Sequence, residues 1–107
     1  MKPVRIHNKV AKELADLEIG LRQKLAELLS LLAAGENIGM PVSRPMPIVE
    51  HGTHELRLKD HTGHFRVFYF TKREDAILVF HLFKKKTQET PAKEIETGKR
   101  RLKEMKA

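Results

Sequence analysis

The sequence predicts an α+β fold in which an N-terminal helical pair packs on a twisted antiparallel sheet, with a further helix at the C-terminus. Three observations predict it. Leucines recur at steps of three and four from Leu14 to Leu32, apolar or alternating runs joined by short turns fill residues 54–83, and a charged segment opened by a proline closes the chain. A length of 107 residues suits one domain and is too short for two that fold apart, so residues 1–107 are expected to form one unit.

Val4 and Ile6 alternate with polar neighbours, as in a short edge strand. Asn8 can cap a helix, because its side-chain oxygen accepts from the free amides of a first turn. Leu14, Leu17, Leu21, Leu25, Leu28 and Leu32 then share one helical face, while Lys12, Glu13, Asp16, Arg22, Lys24 and Glu27 fall largely elsewhere. Gly20 interrupts the run, which predicts two helices in a hairpin or one kinked helix. Gly35 follows Ala33 and Ala34 and suits a left-handed stop. Pro41, Pro45 and Pro47 forbid a continuous helix or a central strand. Residues 36–53 therefore read as a loop, ordered by Met40, Met46 and Ile48 packing on the core.

Three strands follow. In His54–Asp60, Leu56 and Leu58 alternate with Glu55, Arg57 and Lys59. Thr62–Gly63 marks a hairpin turn. Phe65–Thr71 is apolar apart from Arg66, which predicts a central strand covered on both faces, and Ala76–Phe83 is a second such run. Short connections favour an antiparallel meander. Thr90 is placed to cap a last helix and Pro91 to begin it. Glu96 is spaced to pair with Arg100, and the thin stripe of Ile95, Leu102 and Met105, weakened by Gly98, predicts loose packing. The resulting order is β-α-α-β-β-β-α, with the helices on one face of the sheet.

Composition narrows the function. Hydrophobic residues make up 40% of the chain, enough for a core, and aromatic residues only 6%, so the core is mainly aliphatic. Twenty-one Lys and Arg against 14 Asp and Glu give a formal charge of +7, and the pI is about 9.9. Such a chain attracts polyanions: nucleic acid first, an anionic membrane second, an acidic protein third. Cysteine is absent, which excludes disulfides, thiol catalysis and cysteine-based zinc sites. No apolar run approaches the roughly 20 residues of a membrane span. The opening MKPVRIHNKV lacks the apolar centre of a secretory signal, so the expected location is cytoplasmic, with no membrane partner. No HExxH, Walker loop, GxGxxG or Ser-His-Asp set occurs, and neither a metal nor another cofactor is expected.

What remains is cationic chemistry. Arg57 points away from the Leu56/Leu58 face, and Arg66 interrupts an apolar strand, where a charge must meet solvent, a carboxylate or a ligand. An ion pair between Arg66 and Glu55 across the strands is the plain structural alternative. Lys84, Lys85 and Lys86 end the last strand, a rigid platform suited to placing phosphate ligands, although such triplets are usually solvated. Lys59 extends the basic set, and Tyr69 and Phe70 could stack bases if they are not simply core. His81 interrupts an apolar strand near the lysines; His54, His61 and His64 read as surface residues. RNA cleavage by the neighbouring 2′-hydroxyl needs that group deprotonated, the phosphorane stabilised and the leaving oxygen protonated. Arginine forks and lysine ammoniums suit the second task, and a lysine of depressed pKa could serve as a base.

Several of these pieces together resemble the HigB-like, phage-derived toxins of the RelE/ParE superfamily. The pieces are Glu55-Leu56-Arg57, Phe65-Arg66-Val67-Phe68-Tyr69, His81-Leu82-Phe83-Lys84-Lys85-Lys86 and Thr90-Pro91, with Gly39–Met46 resembling the family's loop before the hairpin. The resemblance implies a RelE-like fold and a ribosome-dependent mRNA endonuclease, the toxin of a type II toxin–antitoxin system. It also implies a co-encoded helix-turn-helix antitoxin, through which alone operator DNA is contacted. By position, Arg57 and Arg66 would bind and stabilise phosphate, and Lys84 or Lys85 would assist. His81 stands where some relatives have Gly, so packing is the better expectation for it. Competing readings are a ParE-type gyrase-inhibiting toxin without nuclease chemistry, a binding module for RNA or an acidic partner, and an inactive toxin kept for operon regulation. A converging Arg57/Arg66/Lys84–Lys86 set favours the nuclease.

Overall fold

The computed structural model describes residues 1–107. Strand β1 (Val4–Ile6) leads into helices α1 (Asn8–Ala15) and α2 (Ile19–Ala33). Strands β2 (Ser43–Pro45), β3 (Thr53–Asp60), β4 (Gly63–Phe70) and β5 (Ile77–Lys85) follow, and helix α3 (Ala92–Lys106) ends the chain. The fold is thus α+β with a C-terminal helix, compatible with a RelE-like architecture. One sheet runs in the order β1-β5-β4-β3-β2. Strands β2 to β5 form the expected antiparallel meander. Strand β1 pairs in parallel with β5, Val4 opposite Ile77, so the sheet is mixed rather than wholly antiparallel. Local patterning could not show this, because β1 meets the strand farthest from it in sequence.

Alternation sends the side chains of β4 and β5 into two different layers. Leu56, Leu58, Phe65, Val67, Tyr69, Ile77 and Val79 pack with Val10 of α1 and Leu21, Leu25, Leu28 and Leu32 of α2. Phe68, Phe70, Leu78, Phe80 and Phe83 pack with Met46, Val49 and Leu102 of α3. The helices therefore lie on both faces, not one. This explains why β4 and β5 are apolar nearly throughout: each face has its own cover.

A bulge decides which residues meet α3. Phe68 pairs with His81 but Tyr69 with Val79, leaving Phe80 as the extra residue. Past it the alternation slips by one, so His81, Phe83 and Lys85 share the α3 face while Leu82 and Lys84 take the other. α3 packs closely rather than loosely. A Cβ on Gly98 would stand 2.9 Å from Phe68 Cδ2, so glycine is what lets the helix backbone reach the ring.

Other local expectations shift for identifiable reasons. His7, not Asn8, caps α1, its Nδ1 accepting from the Lys9 amide. The helical hairpin breaks at residues 16–18, and Gly20 lies inside the first turn of α2. Gly35 does take the left-handed stop, with φ +93°. In the proline-rich segment Met46 is buried, but Met40 and Ile48 are exposed and Val49 packs instead. That segment also holds β2, an edge strand that tolerates Pro45. Pro91 caps α3 rather than starting it, and Thr90 turns its hydroxyl to Glu55. Glu96 meets Lys99, not Arg100.

Candidate nucleic-acid interface

Strand register assembles the basic residues. Arg57 pairs with Arg66, which pairs with Phe83; one step on, Lys59 pairs with His64, which pairs with Lys85. Paired residues share a face, with Cα atoms about 4.5–5.5 Å apart. Two rows crossing three strands thus put Arg57, Arg66, Lys59, His64 and Lys85 on the α3 side of the sheet, at its far end. α3 covers the Phe68/Phe80 region and leaves this end open. Like charges directly opposite one another oppose folding, so the arrangement costs stability unless an anion fills it.

Between these residues lies a hollow of about 460 Å³. Arg57, His64, Arg66, Lys85 and Lys86 line it with Thr87 and Gln88, and no apolar side chain contributes. A second hollow of about 370 Å³ shares Arg57, His64 and Arg66 and extends to Lys59, Pro41 and Val42. The pair forms a continuous trough over the Arg57–Arg66 rung.

Arg66 is buried, at 5% exposure, and held from beneath. Its Nη1 donates to its neighbour's carbonyl, Phe65 O, at 3.0 Å. Its Nε faces Oε1 of the fully buried Glu55 at 3.6 Å, an ion pair too long for a hydrogen bond. The expected Arg66–Glu55 pair therefore exists, yet it does not close the site. Burial lowers the Arg66 pKa, Glu55 opposes this, and Arg57 and Arg44 add to the depression. Lys85 is also lowered, first by burial and then by Arg66; Glu55 again opposes, and Arg57 and Arg44 contribute. A lysine so placed gives up its proton more readily than a free one.

Lys86 is exposed and lines the hollow at its rim, whereas the other sequence candidates lie apart. Lys84 points to the opposite face, its Nζ 5.9 Å from the centre of the Phe65 ring, beside a cleft of mixed charge that includes Asp16, Lys93 and Arg100. Tyr69 is buried on the α1/α2 side, hydrogen-bonded to Ser43 Oγ and stacked on His54. Desolvation raises its pKa, and it takes no place in the hollow. His81 lies on the α3 face but under the helix. Arginine only donates, so Arg101 Nη1 must donate to His81 Nδ1 (3.0 Å), which leaves Nε2–H to donate to Glu94 Oε1 (2.8 Å). Burial pushes His81 down; Glu94 opposes it and Arg101 adds to it.

His64 is exposed, as expected, and it also lines the hollow, because its place two positions before Arg66 puts it on the same strand face. Thr87 and Gln88 carried no comparable signal. One group of possible metal-ligand atoms, from Glu18, Asp60 and His61, spans the α1–α2 and β3–β4 turns. Asp60 Oδ1 already accepts from the Thr62 amide and hydroxyl, and His61 Nε2 lies 3.1 Å from Glu18.

No helix is long and apolar enough to cross a membrane. Among curated proteins, none matches the chain. The model of one family, described as Phage derived protein Gp49-like (DUF891), matches residues 12–103 and so spans most of the fold, including every residue of the trough. The chain therefore belongs to this phage-derived, RelE/toxin-like family.

Proposed function

We propose that the protein is the HigB-like toxin of a type II toxin–antitoxin pair, and that it cleaves messenger RNA in the ribosome. The observation that carries this reading is the trough: five basic side chains on three adjacent strands, facing one side, with a single buried carboxylate beneath them. A fold needs no such crowding. A phosphodiester does, because the transition state concentrates negative charge on its non-bridging oxygens.

In the proposed reaction the 2′-oxygen attacks phosphorus as the bond to the 5′-oxygen breaks. The products are a 2′,3′-cyclic phosphate and a 5′-hydroxyl. Arg57 and Arg66 hold the phosphate, Arg57 through its planar fork and Arg66 through Nη2, the one nitrogen of its guanidinium left free. Lys85, with its lowered pKa, is the group suited to accept or return the proton. Lys59, Lys86 and His64 draw the flanking backbone along the trough. Lys84, Tyr69 and His81 have no part in this scheme, because the structure turns them elsewhere. The partners are the ribosome, its mRNA, and a small helix-turn-helix antitoxin that carries any operator binding.

The test is mapping of transcript 5′ ends after induced expression, with and without active translation. New 5′-hydroxyl ends inside translated codons, lost when translation is blocked, are the expected result. Intact transcripts beside broken chromosomal DNA would replace this reading with gyrase inhibition.

A further inference from the structure

Below the trough lies a group that the cleavage scheme does not use. Glu55 is fully buried, and a carboxylate is buried only when something holds it there. Oε2 accepts a hydrogen bond from Thr90 Oγ1 at 3.2 Å, in the segment that joins β5 to α3. Oε1 faces Arg66 Nε at 3.6 Å, and neither of these two atoms has a hydrogen-bond partner. Of the three guanidinium nitrogens of Arg66, Nη1 is occupied by Phe65 O. Nη2 alone neither bonds within the protein nor is closed off from solvent.

An ion pair kept for stability alone is closed by hydrogen bonds on both partners, since burial otherwise costs more than the pairing returns. This one is left open at the atoms that face each other. Glu55 also has Arg44 directly opposite on β2 and Arg57 two residues along its own strand; it pairs with Arg66 alone, and its charge acts through space on Lys85.

We propose that Glu55 is a positioning residue for the trough: its charge holds the Arg66 guanidinium so that Nη2 faces the phosphate, and its second oxygen pins Thr90 so that the β5–α3 segment forms a wall. The proposal rests on reading the trough as a phosphate site. Glu55 touches no ligand itself, because it is sealed beneath Arg66. It acts through Arg66, through the wall of Thr87 and Gln88, and through the charge state of Lys85.

The experiment compares wild type, Glu55→Gln and Thr90→Val on ribosomes programmed with a short defined mRNA. Glu55→Gln keeps the shape and an oxygen for Thr90 but removes the charge. It is expected to lower kcat by about tenfold while KM moves little, the signature of a contact used in the transition state. The limb of its pH–rate profile that reports Lys85 shifts to lower pH, because only influences that depress Lys85 remain. Loss of folded protein would lower the rate without moving that limb.

A second readout needs no cleavage: the NMR titration of Lys85 Nζ, expected at lower pH in Glu55→Gln than in wild type. Should wild type cut nothing, the functional reading fails and this titration alone decides the role of Glu55. Folded Glu55→Gln with an unmoved titration overturns the proposal, as does an unmoved kcat in a cleaving enzyme. Should Glu55→Gln not fold, Thr90→Val decides. It keeps the charge, and a higher KM with a kcat about threefold lower supports the proposal, whereas wild-type constants overturn it.

Discussion

Two arginines are buried on the same side of the same sheet, and they are satisfied in different ways. Arg101, on α3, reaches three acceptors with one nitrogen: His81 Nδ1 at 3.0 Å, Glu13 Oε1 at 3.3 Å and the Phe80 carbonyl at 3.5 Å. His81 passes the network on to Glu94. Arg66, a few residues along the face, has one carbonyl and a carboxylate that stands too far for a hydrogen bond. The first arginine fastens a helix to a sheet. The second lies beneath an open basic trough. Burial and charge are nearly equal at the two places, and each guanidinium keeps a buried Nε without a partner; the number of acceptors gathered on the rest, and the open basic hollow above Arg66, separate a structural cation from one available to a ligand.

Substitutions can break this comparison from either side. The largest effect is expected from Arg66→Ala, which should lose about 2–4 kcal/mol of transition-state stabilisation, as for a removed oxyanion donor. Single-turnover cleavage per folded molecule measures it, with circular dichroism confirming the fold. Arg101→Ala should behave in reverse, losing about 2 kcal/mol of stability with its hydrogen bonds to charged or buried groups. Its cleavage rate should stay near wild type once corrected for folded fraction. Urea unfolding and the same cleavage assay separate the two variants.

A finer comparison sets neighbours apart. Lys85→Ala should cost about tenfold in rate, or roughly 1.4 kcal/mol. Lys84→Ala, on the opposite face, should stay within about twofold, which is the scale of a surface change. Equal losses would show that the bulge at Phe80 does not set the phase of the strand end.

The smallest effect is one of pH. Burial holds the His81 pKa below its ordinary value, so the folded protein binds that proton less readily than the unfolded chain. As pH falls through about 6.5, the unfolded chain takes up the proton first. Stability contributed at this site is therefore full at neutral pH, declines on acidification, and levels off below the folded-state pKa. Melting temperatures between pH 7 and 5 should fall less steeply in His81→Gln than in wild type.

Much of this was legible in the chain. Alternation around Leu56 and Leu58 marked β3, and the unbroken run of β4 marked a strand covered twice. Arg57 and Arg66 stood out because their neighbours are apolar, and Glu55 was visible as the natural partner of Arg66. The rest depended on contacts distant in sequence or on a change of phase. The parallel pairing of β1 with β5 leaves no local pattern. The bulge at Phe80 exchanges the faces of Lys84 and Lys85, and no residue type at that point announces it. Gly98 read as a weakness in α3 because its partner, the Phe68 ring, is invisible in the helix's own sequence.

Phosphate is expected to enter the trough over the Arg57–Arg66 rung, and NMR mapping of a bound, uncleavable RNA tests this. A short oligonucleotide lacking the scissile 2′-hydroxyl is titrated into labelled protein. The largest shifts are predicted at Arg57, His64, Arg66 and Lys85, with little change at Lys84, Tyr69 and His81. Shifts centred on the His54/Tyr69 stack or on the Lys84–Lys93–Arg100 cleft would contradict it.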